Sequence, residues 1–341
     1  MKSLLPIFLS LFVFAVSADE ETDAFKKTEF ENELRDIWEN VYLKKKTIKN
    51  EELEKISIIE TFAENTNDAD LFYHIGVVYM NIPNSVAALK WMEMAADQKH
   101  PQALHNIGWW YDNGFGHINE DNDKAVEYYR LAYWQGGVAR SFLRLAEMYL
   151  YGDGVNKDTK LARGILLTIL KDSSNLIVTD HNIADTEFYL GKIYRYAIGV
   201  DIDLDKSFDY FISAAGKGHE QSMVESAQLL RQKYRETGNE QQNKEAEKLY
   251  KLAAAKGNTG AMLYLSAIYY EKYSKEEDTK INEYKFFSWI YSAYKIGIED
   301  ERLKQDAIRF VKNFILNDDE LKDLLDKQTD ECIENNFKDC F

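Results

Sequence analysis

The sequence predicts an all-α protein, an α-solenoid of about six helix-turn-helix repeats with a helical cap at each end. Three observations predict this fold class: a motif that recurs every 32 to 45 residues, a content of only 3 prolines, and glycines placed where helices should stop. One helical hairpin cannot bury its apolar face alone, so the copies are expected to stack on one another.

Composition narrows the classes of function. The chain has 341 residues, of which 45% are apolar, and a net charge of −16. This apolar content supports a sizeable core and excludes a disordered chain. The negative charge argues against nucleic acid, whose phosphates attract Lys and Arg, and against an anionic membrane surface. It leaves basic proteins, cations and neutral ligands open as partners.

The first 18 residues are predicted to be a secretory signal peptide. Lys2 precedes an apolar run over residues 4–16, and the small residues Ser17 and Ala18 come before the acidic Asp19. The run is too short to span a bilayer, which needs about 20 residues, and we expect cleavage after Ala18. An uncleaved anchor or a buried N-terminal helix is the alternative. The mature chain is expected to be exported without membrane insertion, to the periplasm or the medium, or to the endoplasmic reticulum lumen of a eukaryote.

Two helix pairs are predicted to cap the repeats. Residues 29–46 and 50–65 form the N-terminal pair, within a cap region that extends over residues 19–68. The repeats occupy residues 69–299, and residues 300–341 hold the C-terminal cap and tail. The C-terminal helices are expected over residues 300–316 and 318–337.

The first helix of each repeat carries an apolar residue, a small residue, two further residues and then Tyr. The small residue lets the paired helix approach closely, and the Tyr three positions later lies on the same face. The degenerate fifth copy has Leu230 in place of the Tyr. The small residues of the six copies are Gly76, Gly108, Ala146, Gly191, Ala227 and Ser266.

The second helix of most repeats ends in Ala or Ala-Ala before a turn that contains Gly or Gly-His. Glycine just past a helical pattern is the usual helix stop. Asp121, Asp158 and Asp203 follow the loop between the two helices and are predicted to cap the second helix. His100 and His219 lie in the turn between repeats, which favours a role in the loop.

In these positions the chain resembles the Sel1-like repeat family, a relative of the tetratricopeptide repeat. Residues 145–162 carry the family's Leu, Tyr, Gly-Asp-Gly-Val and Asp, and residues 190–219 carry its Leu-Gly, Tyr, Asp, Ala-Ala and Gly-His. The resemblance covers roughly residues 69–299 and implies a right-handed superhelical solenoid that acts as an adaptor. The third copy lacks the Ala-Ala ending, the fifth lacks the Gly-rich loop, and no copy has the disulfide of many extracellular relatives.

The chain offers little recognisable catalytic chemistry. Cys332 and Cys340 are expected to form a disulfide in an oxidising compartment and to pin the C-terminal tail. Zinc normally takes four ligands, and the 6 histidines show no metal-ligand spacing, so no metal site is predicted. The sequence has no Gly-x-Ser-x-Gly motif and no phosphate loop, so we predict neither a cofactor nor enzyme activity.

The candidate binding residues are those in which the copies differ. The positions two before and one after the small residue are three apart and share a helix face. They hold aromatic, charged and amide side chains, whereas the position two after the small residue is always apolar and is predicted to be core. We call the first set the variable row and expect it to line the concave surface. Its candidate partner-binding residues are His74, Asn106, Trp109, Arg144, Glu147, Tyr189, Lys192, Glu225 and Tyr264. The alternative is a merely solvated row, with Trp109 and Tyr189 packed against neighbours.

We therefore predict a non-enzymatic, monomeric scaffold that binds a protein partner through this concave surface. Two roles stay open: an envelope adaptor, and an immunity-type inhibitor that blocks a basic toxin, whose association would be accelerated by complementary charge. The alternatives are a groove-based hydrolase and a binder of cell-wall fragments, glycans or β-lactams.

Overall fold

A computed structural model describes residues 23–45, 47–82, 84–172, 178–275, 279–298, 301–316 and 318–335. These residues form helices joined by turns, and their one β-type contact is an isolated bridge between Phe115 and Ile118. The all-α prediction is confirmed. The predicted signal peptide, residues 1–18, and the proposed disulfide partner Cys340 lie outside the described residues. The chain forms two compact units, one up to Val178 and one from Thr179.

The first unit begins with helix α1 over residues 23–38, which continues as a π-helical turn, Glu39–Leu43. The helices that follow are α2 (Asn50–Thr66), α3 (Ala69–Met80), α4 (Ser85–Asp97), α5 (Pro101–Asn113), α6 (Asn122–Gly136), α7 (Ala139–Tyr151) and α8 (Thr159–Lys171). Helix α3 packs on α4, α5 on α6, and α7 on α8, so this unit holds three hairpin repeats.

The second unit holds three further hairpins and the C-terminal helices. Its helices are α9 (Asp180–Arg195), α10 (Leu204–Gly216), α11 (Glu220–Thr237), α12 (Glu240–Ala254), α13 (Thr259–Ser274), α14 (Thr279–Ile296), α15 (Glu301–Phe310) and α16 (Asp319–Glu334). Helix α15 continues as a π-helical turn, Val311–Ile315. The hairpins are α9 with α10, α11 with α12, and α13 with α14, and α16 packs on α14.

The small residue of the repeat lies where the two helices of a hairpin meet. A Cβ atom on Gly76 would lie 3.0 Å from Met92 Cγ of α4, and one on Gly191 would lie 2.6 Å from the Phe211 ring of α10. Close approach of the paired helices therefore depends on glycine at these positions. The position two after the small residue is buried in all six copies, as predicted: Val78, Trp110, Met148, Ile193, Leu229 and Ile268.

The predicted caps of the second helices are confirmed. Asp121, Asp158 and Asp203 each accept a hydrogen bond from a backbone N–H in the first turn of α6, α8 and α10. Such a bond satisfies one of the N–H groups that a helix start leaves without a partner.

Two histidines cap the first helices of their repeats. His100 Nδ1 accepts from the backbone N–H of Ala103 in α5 at 3.2 Å, and His219 Nδ1 accepts from that of Ser222 in α11 at 3.1 Å. Both residues thus have the loop role that the sequence predicts, and that role is the capping of the following helix. The Gly-His turn therefore ends one repeat and starts the next.

The predicted end caps are helical, with somewhat different bounds. Helix α1 begins at residue 23 rather than 29, and α16 ends at Glu334 rather than at residue 337. Asp318 caps α16 by accepting from the backbone N–H of Leu321 at 3.0 Å. Of the helices that the structure describes, none is both long and apolar enough to cross a membrane.

Candidate functional site

The variable row of the first unit bonds to the neighbouring repeat. Arg144 of α7 reaches Asp112 of α5, where its Nε and Nη2 donate to the two carboxylate oxygens at 2.7 and 2.8 Å. Its Nη1 donates to Glu147, one turn further along α7, at 2.9 Å. The guanidinium is thus held between two carboxylates, and the bidentate bond to Asp112 fixes its orientation.

Asp112 is the buried centre of this network. Its side chain is 5% exposed, and it also accepts a hydrogen bond from the Tyr129 hydroxyl of α6 at 3.0 Å. The hydrogen bond to Asp112 raises the pKa of Arg144 against the opposing effect of burial. Burial, together with the charge of Asp112, raises the pKa of Tyr129. Arg144 therefore stays charged and Tyr129 stays neutral at physiological pH.

Trp109 is the exposed aromatic residue of the row in the first unit. Its side chain is 43% exposed. Because it lies three residues before Asp112 on α5, it shares a face of this helix with Asp112. A solvent-exposed indole thus shares a face of α5 with Asp112, which binds the guanidinium of Arg144. Trp and Arg are two of the side chains most enriched at binding hot spots.

The remaining predicted residues of the first unit are half-buried. Asn106 Nδ2 approaches Met80 Sδ of the preceding repeat at 4.0 Å, which is a weak contact. His74 Nδ1 is buried and has no hydrogen-bond partner among the described residues. Burial lowers the pKa of His74, so its imidazole is neutral at pH 7.

The variable row of the second unit forms a comparable network between α9, α11 and α13. Arg195 of α9 pairs with Glu225 of α11, and its Nη2 donates to Gln228 Oε1 at 2.9 Å. Gln228 Nε2 donates in turn to the Tyr264 hydroxyl of α13 at 2.9 Å. Tyr264 is stacked on Tyr250 of α12, with 5.1 Å between the ring centroids.

The expectation of an exposed row does not hold for Glu225. This residue is only 9% exposed, because it packs against the neighbouring repeat as the partner of Arg195. Burial raises the pKa of Glu225, while the charge of Arg195 opposes that rise. Lys192 and Tyr189 are half-buried, and Lys192 Nζ lies 5.7 Å from the Tyr189 ring centroid. The binding role of these residues stays a prediction.

The sequence did not identify as functional the residues that lie four positions after the small residue of the repeat. Asp112 and Arg195 hold this position, and each bonds to the next repeat at the position two before its small residue. The sequence contained a signal, since each residue is followed by an opposite charge, Arg144 after 32 residues and Glu225 after 30. Comparing one position across copies cannot reveal such pairs, because the two partners occupy different positions of the repeat.

One Ser–His contact has the residue types of a nucleophile and its base. His105 Nδ1 and Ser141 Oγ lie 2.8 Å apart between α5 and α7. Ser141 has no exposed surface, and burial, aided by Arg140, lowers the pKa of His105 to about 4. A nucleophile must reach its substrate, so the fully buried Ser141 hydroxyl is not an accessible nucleophile. Within the described ranges, no group of three His, Cys, Asp or Glu side chains could hold a metal ion.

Comparison with known families identifies the repeat. Five segments match the Sel1 repeat: residues 72–100, 101–136, 143–166, 184–219 and 234–258. The first three lie in the first unit and the last two in the second. The hairpin of α13 and α14, which we predicted as the sixth copy, is not among the matched segments.

Several solved structures are similar to the chain. A Sel1 repeat protein from Oxalobacter formigenes is 23% identical, with a TM-score of 0.54 over 70% of this chain and 93% of that chain. A protective antigen of uropathogenic Escherichia coli with an SLR fold is 21% identical, with a TM-score of 0.43; the match covers 81% of this chain and 64% of that chain. An immunity protein from Pseudomonas aeruginosa is 20% identical, with a TM-score of 0.36; the match covers 70% of this chain and 86% of that chain. The first of these similarities supports the repeat fold, and identities this low do not extend to function.

Proposed function

The chain is a Sel1 repeat protein, and we propose that it is a non-enzymatic scaffold that binds a protein partner through the variable row of the first unit. One observation carries this proposal: Trp109 is exposed on the face of α5 that also holds Asp112, the ion-pair partner of Arg144. Helical repeat proteins use such extended rows of side chains as binding surfaces.

The arrangement is suited to binding because Arg144 is already in place. A guanidinium has five N–H donors, and three of those on Arg144 bond to Asp112 and Glu147. Two donors remain for a partner, and the Arg144 side chain is 30% exposed. A partner that docks on Trp109 would meet a donor that is already oriented. Binding would therefore cost little of the side-chain entropy of Arg144.

We propose that the partner is basic. The whole chain carries a net charge of −16. Around Arg144, the three carboxylates of Asp112, Glu147 and Asp153 outnumber this one guanidinium, whose Nη2 lies 4.0 Å from Asp153. Complementary charge would accelerate association, and the affinity should fall as salt screens the attraction.

We propose that this scaffold acts outside the cytosol. The predicted signal peptide, residues 1–18, supports export. Cell fractionation with sequencing of the mature N-terminus tests this, and we expect a chain that begins at Asp19 outside the cytosol. A cytosolic chain that keeps its first 18 residues would contradict export.

Affinity capture with matched tryptophan variants tests the binding surface. Trp134 on α6 is 77% exposed, so Trp134→Ala controls for the loss of any exposed indole in the same unit. We expect one stoichiometric partner that wild type and Trp134→Ala retain and Trp109→Ala loses. Loss of a tryptophan hot spot costs about 2 kcal/mol or more, which is about 30-fold in Kd. A partner that binds Trp109→Ala as tightly as wild type would refute this surface.

The identity of the partner separates the two roles. An immunity-type inhibitor should block the activity of a basic toxin at equimolar concentration, whereas an envelope adaptor should leave its partner active. If no protein is captured, titration with cell-wall fragments, glycans and β-lactams tests the small-ligand alternative. Turnover of any of them would establish the hydrolase alternative and refute the scaffold.

A further inference from the structure

A cavity lies between α1 and α3 of the first unit. Its volume is about 350 Å³, within the range of about 300–1,000 Å³ that is typical of small-molecule sites. Trp38 of α1 and the Tyr73 and Val77 side chains of α3 contribute apolar lining. His74 also lines the cavity, and burial lowers its pKa, so it adds no charge at pH 7.

Two opposite charges lie at the α1 side of this cavity. Glu31 and Arg35 both line it and are four residues apart, so they share a face of α1. Such a spacing normally favours an ion pair, yet these two side chains do not pair with each other. Arg35 Nη2 donates instead to Asn32 Oδ1, and Arg35 makes no ion pair with any residue that the structure describes.

Among the described residues, the only cation within 4.0 Å of Glu31 is Lys27, whose Nζ is 3.9 Å away. The same Nζ lies 2.8 Å from Asp68 and 2.8 Å from Asp70, so Lys27 is held mainly by those two carboxylates. The cavity therefore combines apolar walls with one carboxylate and one guanidinium that are both available for new bonds.

We propose that this cavity binds a free amino acid with an aromatic or large aliphatic side chain. The ligand carboxylate bonds to Arg35, its ammonium group bonds to Glu31, and its side chain lies against Trp38, Tyr73 and Val77. A ligand with only one of the two charges leaves the other residue of α1 without a partner. This site does not depend on the proposed protein partner, because it needs no exposed Trp109.

Titration of the purified protein with charge-deleted ligands tests the proposal. The probe is L-phenylalanine, and the comparisons are 3-phenylpropionate, which lacks the ammonium group, and phenethylamine, which lacks the carboxylate. We expect each comparison ligand to bind at least about tenfold more weakly, since each loses one charge-assisted hydrogen bond. Equal binding of either one, or no binding of L-phenylalanine at millimolar concentration, would overturn the proposal.

Variants of the cavity provide a second measurement. Arg35→Gln should weaken L-phenylalanine binding by at least about tenfold, and Val77→Phe should abolish it by filling the cavity. Arg140→Gln is the matched control, because Arg140 is an exposed arginine of α7 that does not line the cavity. Wild-type affinity in Arg35→Gln would contradict the site. N-acetyl-L-phenylalanine amide mimics an internal peptide residue, and binding of this amide as tight as that of the free amino acid would overturn the proposal in favour of a protein anchor.

Discussion

Replacing Asp112 with Ala is expected to destabilise the first unit by about 3 kcal/mol. Asp112 accepts two hydrogen bonds from Arg144 and one from Tyr129, and its own side chain is almost fully buried. Removal of one partner from a buried ion pair costs about 3–5 kcal/mol. We expect a loss at the lower end of this range, because Arg144 is partly exposed and water can replace some of the hydrogen bonds that it loses.

Urea unfolding followed by circular dichroism measures this loss. With a slope of about 2 kcal/mol per molar urea, a loss of about 3 kcal/mol moves the midpoint of the first unit by about 1.5 M. Lys124→Ala is the control, because Lys124 and Asp121 form an exposed ion pair at 3.4 Å. Such pairs contribute about 0–1 kcal/mol, so this control should change the midpoint little.

A double-mutant cycle separates the ion pair from other effects of the substitution. Arg144→Ala leaves Asp112 buried without its cation, so each single variant should be costly. The double variant should lose about 2 kcal/mol less than the sum of the two single losses, since residues in contact couple by about 0.5–3 kcal/mol. Additive losses, or a loss from Asp112→Ala as small as that from Lys124→Ala, would refute this reasoning.

Two further predictions concern pH and packing. The pKa of His105 is about 4 in the folded chain and 6.5 in the unfolded chain, so below pH 6.5 the unfolded state binds the extra proton. The free energy of unfolding should fall by about 2 kcal/mol between pH 7 and pH 5 through this group, and His105→Gln should remove that part of the decrease in urea titrations. Gly191→Ala should lower the free energy of unfolding by about 1–3 kcal/mol, since its methyl group would lie 2.6 Å from the Phe211 ring. Gly164→Ala on α8 has open space around its new methyl group and should raise the free energy of unfolding by about 1 kcal/mol. Thermal melts of equal midpoint for these two alanine variants would contradict the packing argument.

The fold was predictable because local features of the repeat mark one helix face in every copy. The adjacent residues Trp109 and Trp110 illustrate this. Trp110 is two after the small residue Gly108 and is fully buried, whereas Trp109 is one after it and is exposed. Two identical side chains have opposite environments, and their distance from the glycine alone predicts which is which. The aspartate caps were equally predictable, since an N-cap bonds within three residues of itself.

The candidate site was less predictable because its contacts join different repeats. The burial of Glu225 depends on Arg195, which lies in the preceding repeat and at another position of the motif. Loop lengths vary between copies, so the spacing of such partners is not constant along the chain. The sequence therefore identified the variable row but did not show which of its charges would be paired within the fold.

The residue at the fourth position after the small residue can also bond to other partners. Arg231 holds this position on α11, and the next repeat places the uncharged Tyr264 where Arg144 or Glu225 stands in other copies. Arg231 bonds instead to Glu271 of α13 and Asn243 of α12, both at 2.6 Å. A charge at this position is thus paired within the stack even when its usual partner is absent.

The contact between repeats accepts either order of charge, which indicates that the pair itself serves to link hairpins. In the first unit the acid comes first, as Asp112 with Arg144, and in the second unit the base comes first, as Arg195 with Glu225. If these residues served mainly to bind a partner, reversing their signs would reverse the charge presented to it. As links between hairpins, the two orders are equivalent, because the Coulomb energy depends only on the product of the charges. In the first unit, a partner is therefore left with the exposed Trp109 and with the N–H donors of Arg144 that the link does not use. A swapped pair, Asp112→Arg with Arg144→Asp, should retain more stability than either single charge reversal.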